Sequence, residues 1–298
     1  MKDDRTTYIG GSDAASALQV SPWRSRYMAW AEKVGIEPPP DLDKMQFVYF
    51  GTVLEPIVAQ EFMKRTGRKV RVKRALVRHK TIPYIAGHID RTVFGERAFL
   101  ECKTSNAFDY KRWGASESGM SGVPEHYLAQ CDHYMFLLDC THCYVAVLIG
   151  GNDFRWYRIE RDAKREEKLV AAEKEFWDFV QTKDPPPVYT EEDARKRWKT
   201  AILGTSVAVT MLERTKVVRL AKVQEQIKEL SKERDAIRDL LIPMFQDRQY
   251  LSESGEPIMR FDVGSQSRFD IDEFRKKHKA LAKKFTTTNP VKRLNILI

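Results

Sequence analysis

Cysteine is scarce in this sequence: four residues in a chain of 298 do not make a disulfide scaffold. Long apolar runs are missing as well. The longest, Tyr144 to Ile149, has the length of a strand and falls far short of the ~18 residues that a membrane helix needs. No G-X-X-X-X-G-K-[ST] loop occurs, so no ATP motor is visible, and no internal repeat recurs. The first residues carry Asp3 and Asp4 where a secretory leader would be apolar, so the expected location is the cytoplasm, with no membrane partner. What is present suffices for a folded protein. With 42% hydrophobic and 11% aromatic residues, the composition is too rich in core-forming side chains for a disordered chain.

Charge is unevenly spread. Lys and Arg number 51 against 42 Asp and Glu, a net +9. Nine basic residues and no acidic one lie between Lys64 and Lys80, and ten basic against four acidic lie from Arg260 onward. A single charge run is often only a solvated face. Two in an otherwise acidic chain favour nucleic acid, because such stripes attract a polyanion by releasing its counterions. In the first stripe Val70 and Val72 alternate with Arg71 and Lys73, as in a half-buried strand, so Lys69, Arg71 and Lys73 are expected to meet phosphates.

Pro38 to Pro40 and Pro185 to Pro187 are stiff breaks that a helix cannot cross. They suggest a core over 1–184 and an extension over 188–298 packed on it. In the core, hydrophobic spacing predicts helices over Gly11 to Leu18, Arg26 to Val34, Gln46 to Thr66 and Glu125 to Asp139, and a last helix carrying Leu169, Ala172, Phe176 and Val180. Strands are predicted over Lys69 to Arg78, Tyr84 to Phe94, Arg97 to Lys103, His142 to Ile149 and Phe154 to Glu160. In the extension, apolar residues step by three and four from Leu220 to Leu241, a stripe that covers barely three heptads and reads as a helix docking on its own domain. A hairpin over Tyr250 to Val263 and a basic helix over Asp270 to Lys284 follow. The class is α/β: a mixed central sheet flanked by helices, with a C-terminal helix and hairpin extension.

The strongest chemical signal is Gly87-His88-Ile89-Asp90 followed, after a turn at Gly95, by Glu101-Cys102-Lys103. Residues two apart on a strand share a face, so Glu101 and Lys103 project together. If the strands pair, Asp90 lies beside them. Two carboxylates and an ammonium converging at a sheet edge make sense around a divalent metal with a bound phosphate. Glu55 adds a carboxylate one turn beyond Gly51, where a missing side chain lets a backbone approach, and Gln130 follows on the polar side of the next helix, flanked by His126 and His133. Alone, a strand Glu-X-Lys is usually a solvent-facing ion pair; the ordered set is not usual. Phosphodiester hydrolysis needs an activated water and a neutraliser of developing charge, and hard oxygen ligands suit Mg²⁺ or Mn²⁺ for both. A lysine on the same face stabilises the developing anion.

In this order the residues resemble the PD-(D/E)XK nuclease superfamily, and within it the YqaJ-type phage recombinases, relatives of lambda exonuclease. The resemblance rests on Ile9-Gly10-Gly11-Ser12-Asp13 with Ser21-Pro22-Trp23, on Gly51-Thr52-Val53-Leu54-Glu55-Pro56, on the Asp90 and Glu101-X-Lys103 strands, and on Tyr127-Leu128-Ala129-Gln130. It spans residue 5 to about 180, and Arg268 to Ile298 is similar to tails of such proteins. It implies that Asp90, Glu101 and the Cys102 carbonyl hold Mg²⁺, for which Mn²⁺ can substitute, and that Glu55 completes this site or holds a second ion. It further implies that Lys103 positions or deprotonates the attacking water, Gln130 orients the network, and Arg5 and Ser12 grip a 5′-phosphate. His88 stands where lambda exonuclease has a phosphate-binding serine.

The implied activity is that of a metal-dependent, alkaline-type exonuclease that degrades one strand of linear double-stranded DNA 5′ to 3′, leaving 3′ single strands for recombination. The implied partners are double-stranded DNA, a single-strand annealing protein and further copies of the chain in a homo-oligomer, a trimer in such relatives. A site- or structure-selective endonuclease on the same fold and a non-catalytic DNA-end-binding protein are the alternatives. Cys140-X-X-Cys143 lacks the second ligand pair of a zinc site. Trp23, Tyr27 and Trp30 are spaced for a helix and read as core in preference to a base-stacking platform.

Overall fold

The computed structural model describes residues 4–198, 205–262, 264, 267–287 and 296. Its elements follow the expected order: α1 (Gly11–Ala17), α2 (Arg26–Lys33), α3 (Gln46–Thr66), β1 (Val70–Arg78), β2 (Ala86–Val93), β3 (Ala98–Ser105), α4 (Glu125–Leu138), β4 (His142–Ile149), β5 (Asp153–Glu160), α5 (Ala163–Thr182) and α6 (Glu191–Arg197). These belong to a first unit that ends at Arg197; the second, from Trp198, holds α7 (Met211–Leu241), β6 (Tyr250–Glu253), β7 (Glu256–Arg260), α8 (Ile271–Lys277) and α9 (Lys279–Phe285).

The first unit is built on a five-stranded mixed sheet of order β1-β2-β3-β4-β5, in which β3 and β4 are the parallel pair. A parallel pair needs a crossover, and α4 supplies it. The two faces of β3 meet different helices. Phe99 packs with Cys131, Tyr134 and Met135 of α4, whereas Leu100 and Cys102 pack with Val58, Ala59 and Phe62 of α3. The period of two therefore places Glu101 and Lys103 on the α4 side. β3 pairs with β4 along its whole length, from Ala98↔His142 to Ser105↔Ile149, but with β2 only at Arg91↔Leu100 and Thr92↔Phe99. Beyond these two pairs the Asp90 side chain replaces the ladder, its Oδ2 accepting the Cys102 N–H at 2.8 Å.

One aromatic ring fixes how α1, β2 and α4 meet. A Cβ on Gly11 and a Cβ on Gly87 would each lie 2.5 Å from the Tyr134 ring, far inside van der Waals contact. Both glycines leave room for the same side chain. The chain before α1 is also stitched to the start of β2, since Ile9 N–H donates to Tyr84 O at 2.6 Å and Ala86 N–H donates to Ile9 O at 3.0 Å.

Several expectations are corrected. The carboxylates and the lysine are not at a sheet edge: β3 is the central strand, and it is the parting of β2 from β3 that opens the site. The Val70/Val72 alternation fails on β1, where Val72 is 47% exposed, because the β1–β2 register shifts after it. On α3, where Leu54, Ile57, Val58 and Phe62 stand at helical spacing and are expected to share a buried face, Ile57 is exposed while Val58, Ala59 and Phe62 are buried. Trp23 is exposed, in contrast to Tyr27 and Trp30, because it precedes α2 and does not share its buried face. In the second unit, α7 begins well before Leu220 because Thr210 and Glu213 form a capping box, and the helix has no buried residue. The basic helix is two, α8 and α9, broken at His278. Val263, part of the expected hairpin, and much of the tail after Thr287 lie outside the described residues. Among the described residues no helix is long and apolar enough to cross a membrane.

Gly87→Ala is expected to destabilise the protein by ~1–3 kcal/mol through overpacking against Tyr134, measured by urea unfolding. In a Tyr134→Leu background the same substitution should cost clearly less. Equal costs in the two backgrounds would show that the ring is not the obstacle.

Candidate functional site

Glu101, Lys103 and Gln130 form a closed hydrogen-bonded ring between β3 and α4. Lys103 Nζ donates to Glu101 Oε1 at 2.7 Å and to Gln130 Oε1 at 2.9 Å, and Gln130 Nε2 donates to Glu101 Oε1 at 2.7 Å. Tyr134, the ring for which the two glycines leave room, lies one turn further along α4, and burial pushes its hydroxyl well above the usual phenol range. Tyr127 closes the other side, with Lys103 Nζ 4.8 Å from its ring centroid.

The charges are deeply placed. Glu101 is 3% exposed, and its Oε2 is shut away from solvent without a hydrogen-bond partner. Burial, and then the charge of Glu101, push the Asp90 carboxyl up to about 8, with Lys103 pulling the other way. Burial opposes the charge on Lys103 too, but Glu101 and Asp90 outweigh it and hold the ammonium well above its usual range. The Cys102 thiol is raised by burial and then by Asp90, Glu101 and Glu55, so it stays protonated. An orphaned carboxylate oxygen beside a carboxyl that resists ionisation amounts to a deficit of positive charge. A hard divalent cation fits that deficit, with Asp90, Glu101 and the Cys102 carbonyl as the oxygen donors.

Glu55 is near enough for its charge to act on Asp90 and Cys102, but its carboxylate is engaged by another residue. Arg91, in register with Leu100 and so on the α3 side of the sheet, pairs with Glu55 through Nη1, and the same nitrogen donates to Asp90 O at 2.7 Å. Among the described residues no cluster of three or more His, Cys, Asp or Glu side chains forms a metal cage. The carboxylate pair is thus Asp90 and Glu101, and Glu55 is a partner of Arg91. Gly51 does not admit a close backbone: the nearest atom to a Cβ there is Thr104 Oγ1 at 3.8 Å. His133 does not flank Gln130 either, being buried with its Nδ1 2.6 Å from Glu173 Oε1. All four cysteines are free thiols.

A second cluster surrounds α1. Arg5 Nη2 donates to Ser12 Oγ at 2.6 Å, so the two residues that resemblance grouped do meet, and both are exposed. Beneath them Asp13, 2% exposed, pairs with Lys33 Nζ at 2.9 Å and with Arg24, and its Oδ2 accepts the Gly10 N–H at 2.9 Å. Lys33 also donates to Tyr8 O at 2.6 Å and Arg5 O at 2.9 Å. Arg24 and Lys33 were not found by sequence reasoning; their signal was the acidic residue in Gly10-Gly11-Ser12-Asp13, which needs buried cations. On β1, Lys69 and Arg71 are exposed and Lys73 is half-buried.

A family model described as the YqaJ-like viral recombinase domain matches residues 2–141. The chain is 34% identical over 254 residues to a Bacillus subtilis (strain 168) protein named uncharacterized protein YqaJ, covering 83% of this chain and 78% of that protein. Among solved structures, LHK-Exo in complex with dAMP superposes with a TM-score of 0.48 at 18% identity, covering 60% of this chain and 90% of that one. The structure described as an alkaline exonuclease, LHK-Exo, from Laribacter hongkongensis gives a TM-score of 0.44 at 19% identity, covering 60% and 92%.

The Asp13 cluster yields a stability prediction. Burial alone would raise the Asp13 carboxyl, but Lys33 and then Arg24 outweigh it and hold it far below the ordinary carboxylate range. A folded-state value below the unfolded one means that the stabilisation is complete above about pH 5 and fades as pH falls through about 4 and lower. Asp13→Asn should cost ~3–5 kcal/mol at pH 7 by leaving the buried Lys33 ammonium without a carboxylate, and its urea-unfolding stability should fall less steeply below pH 4 than that of the parent. Parallel pH profiles would remove this account.

Proposed function

The chain belongs to the YqaJ-like viral recombinase family, and within it we propose that this protein is a Mg²⁺-dependent deoxyribonuclease that degrades linear double-stranded DNA from the 5′ end. The observation that carries this is the Glu101–Lys103–Gln130 ring beside Asp90. Mg²⁺, when bound by Asp90, Glu101 and the Cys102 carbonyl, supplies Lewis-acid polarisation of the phosphate and acidifies a water. Mn²⁺ meets the same oxygen donors. The chain's own residues do the rest. Lys103 presents an ammonium held charged by Glu101 and Asp90, placed to neutralise charge that develops on the phosphate oxygens and to orient the attacking water. Gln130 keeps that ammonium aimed while sharing Glu101 Oε1 with it. Glu55 acts through Arg91, which it holds against the Asp90 backbone.

The exposed Arg5 and Ser12 form the 5′-phosphate site of this proposal. A terminal phosphate carries nearly two charges and several acceptor oxygens, which suit a guanidinium fork and a hydroxyl; Arg24 and Lys33 balance Asp13 and Glu32, so the attraction falls to the exposed Arg5. Lys69, Arg71 and Lys73 extend the phosphate contacts along β1. Assembly as a homo-oligomer and delivery of the 3′ strand to a single-strand annealing protein belong to the same proposal.

Lys103→Ala should reduce cleavage of end-labelled duplex by at least ~100-fold with little change in duplex binding, and more than a few per cent residual rate would remove the role given to Lys103. Asp90→Ala and Glu101→Ala should lose Mg²⁺ binding by calorimetry. Covalently closed circles should resist digestion; cutting them as fast as linear DNA would establish the endonuclease alternative. Neutralising Lys69, Arg71 and Lys73 should make the slope of log K against log salt shallower by about 0.9 for each lost contact. Finally, the parent should prefer 5′-phosphorylated over 5′-hydroxyl ends, and Arg5→Ala should erase the preference while Mg²⁺ binding persists. Equal rates for both ends in the parent would refute the 5′-phosphate site.

A further inference from the structure

We propose that the indole of Trp23, backed by His126 and Tyr127, is a stacking platform for an unpaired nucleobase adjoining the phosphate at Lys103, an inference that rests on the nuclease function proposed above. Trp23 follows Ser21-Pro22 in the turn before α2 and is 68% exposed. Its ring is not adrift. It meets the His126 ring edge to face with centroids 4.5 Å apart, His126 lies 4.1 Å from Tyr127, and Tyr127 lies 4.8 Å from Lys103 Nζ. A continuous aromatic path thus runs from the ammonium to an open indole.

His126 is packed for its ring and not for a hydrogen bond. Its Nε2 is buried without a partner, a cost that a side chain serving the fold alone would avoid. Burial, then Lys103 and Arg112, lower its pKa to about 4, so the ring is neutral near pH 7 and presents an apolar backing to the indole in place of a phosphate anchor. Phosphate neutralisation falls instead to Lys103 and Arg112, whose charges both act on His126 and Tyr127. Cations with an interposed aromatic surface suit a single strand, whose phosphates and unstacked bases alternate. A paired base would offer no free face, so the occupant is a base that has left the duplex next to the cut.

Titration without divalent metal tests this, using a duplex whose cleavable strand ends in two unpaired nucleotides that carry either normal bases or abasic sugars. Trp23→Ala should weaken binding of the base-bearing DNA about tenfold, Trp23→Phe should restore most of it, and neither should change binding of the abasic DNA. Unchanged affinity in Trp23→Ala, or an equal loss on abasic DNA, would overturn the proposal. A change in self-association in place of DNA affinity would assign the indole to a contact between copies and would also overturn it. Because binding is read without cleavage, a parent protein that fails to digest DNA with Mg²⁺ would sink the nuclease function and leave this measurement readable.

Discussion

The buried ion pair of Glu101 and Lys103 on the central strand constrains the rest of the first unit. Two charges taken out of water are stabilising only where geometry and further hydrogen bonds offset their desolvation. Here Gln130 supplies those bonds to Lys103 Nζ and Glu101 Oε1, so α4 must present one particular face to β3. The accounting is still incomplete, because Glu101 Oε2 has no partner and Asp90 is pressed toward its neutral form. A hydrophobic pair at positions 101 and 103 would pack with less tension. That retained tension is what a cation bound as proposed above would relieve.

The demand on α4 spreads outward through Tyr134. With that face of α4 turned to β3, Tyr134 sits where α1 and β2 converge, and the missing side chains of Gly11 and Gly87 leave it space. The same convergence brings the Asp13 cluster beside the start of β2, because the Ile9 backbone is hydrogen-bonded to Tyr84 and Ala86. The Glu101–Lys103 strand and the cluster around α1 are therefore joined by packing around a single ring. A change at either glycine reaches both.

Local spacing carried much of this into the sequence. The shared face of Glu101 and Lys103 follows from strand period alone, and most helix and strand positions follow from apolar spacing. What was not legible depends on non-local pairing. That β3 is central and not at an edge is decided by the parallel partner reached through α4. That Glu55 is claimed by Arg91 depends on the side of the sheet that α3 covers. Trp23 and Trp30 are alike in residue type, yet one is exposed and the other buried, since the boundary of α2, capped by Ser25, falls between them. The Arg5 and Ser12 contact came from family resemblance, because no spacing argument links a 3-10 turn to the residue after a glycine pair.

The basic stripe on β1 illustrates how one feature answers two physical needs. β1 is an edge strand, and an edge exposes unpaired backbone groups that invite a second sheet. Exposed Lys69 and Arg71, with register shifts on either side of Lys73, discourage such pairing by charge and by irregular twist. Among the described residues no ion pair engages Lys69, Arg71 or Lys73, which suits them to the polyanion contact proposed above. Arg65 and Arg68 of the same basic run are engaged by Glu61 and Glu96, so the run divides into residues that brace the fold and residues that face outward. Exclusion of a wrong partner and the phosphate contacts proposed above would then be consequences of one surface.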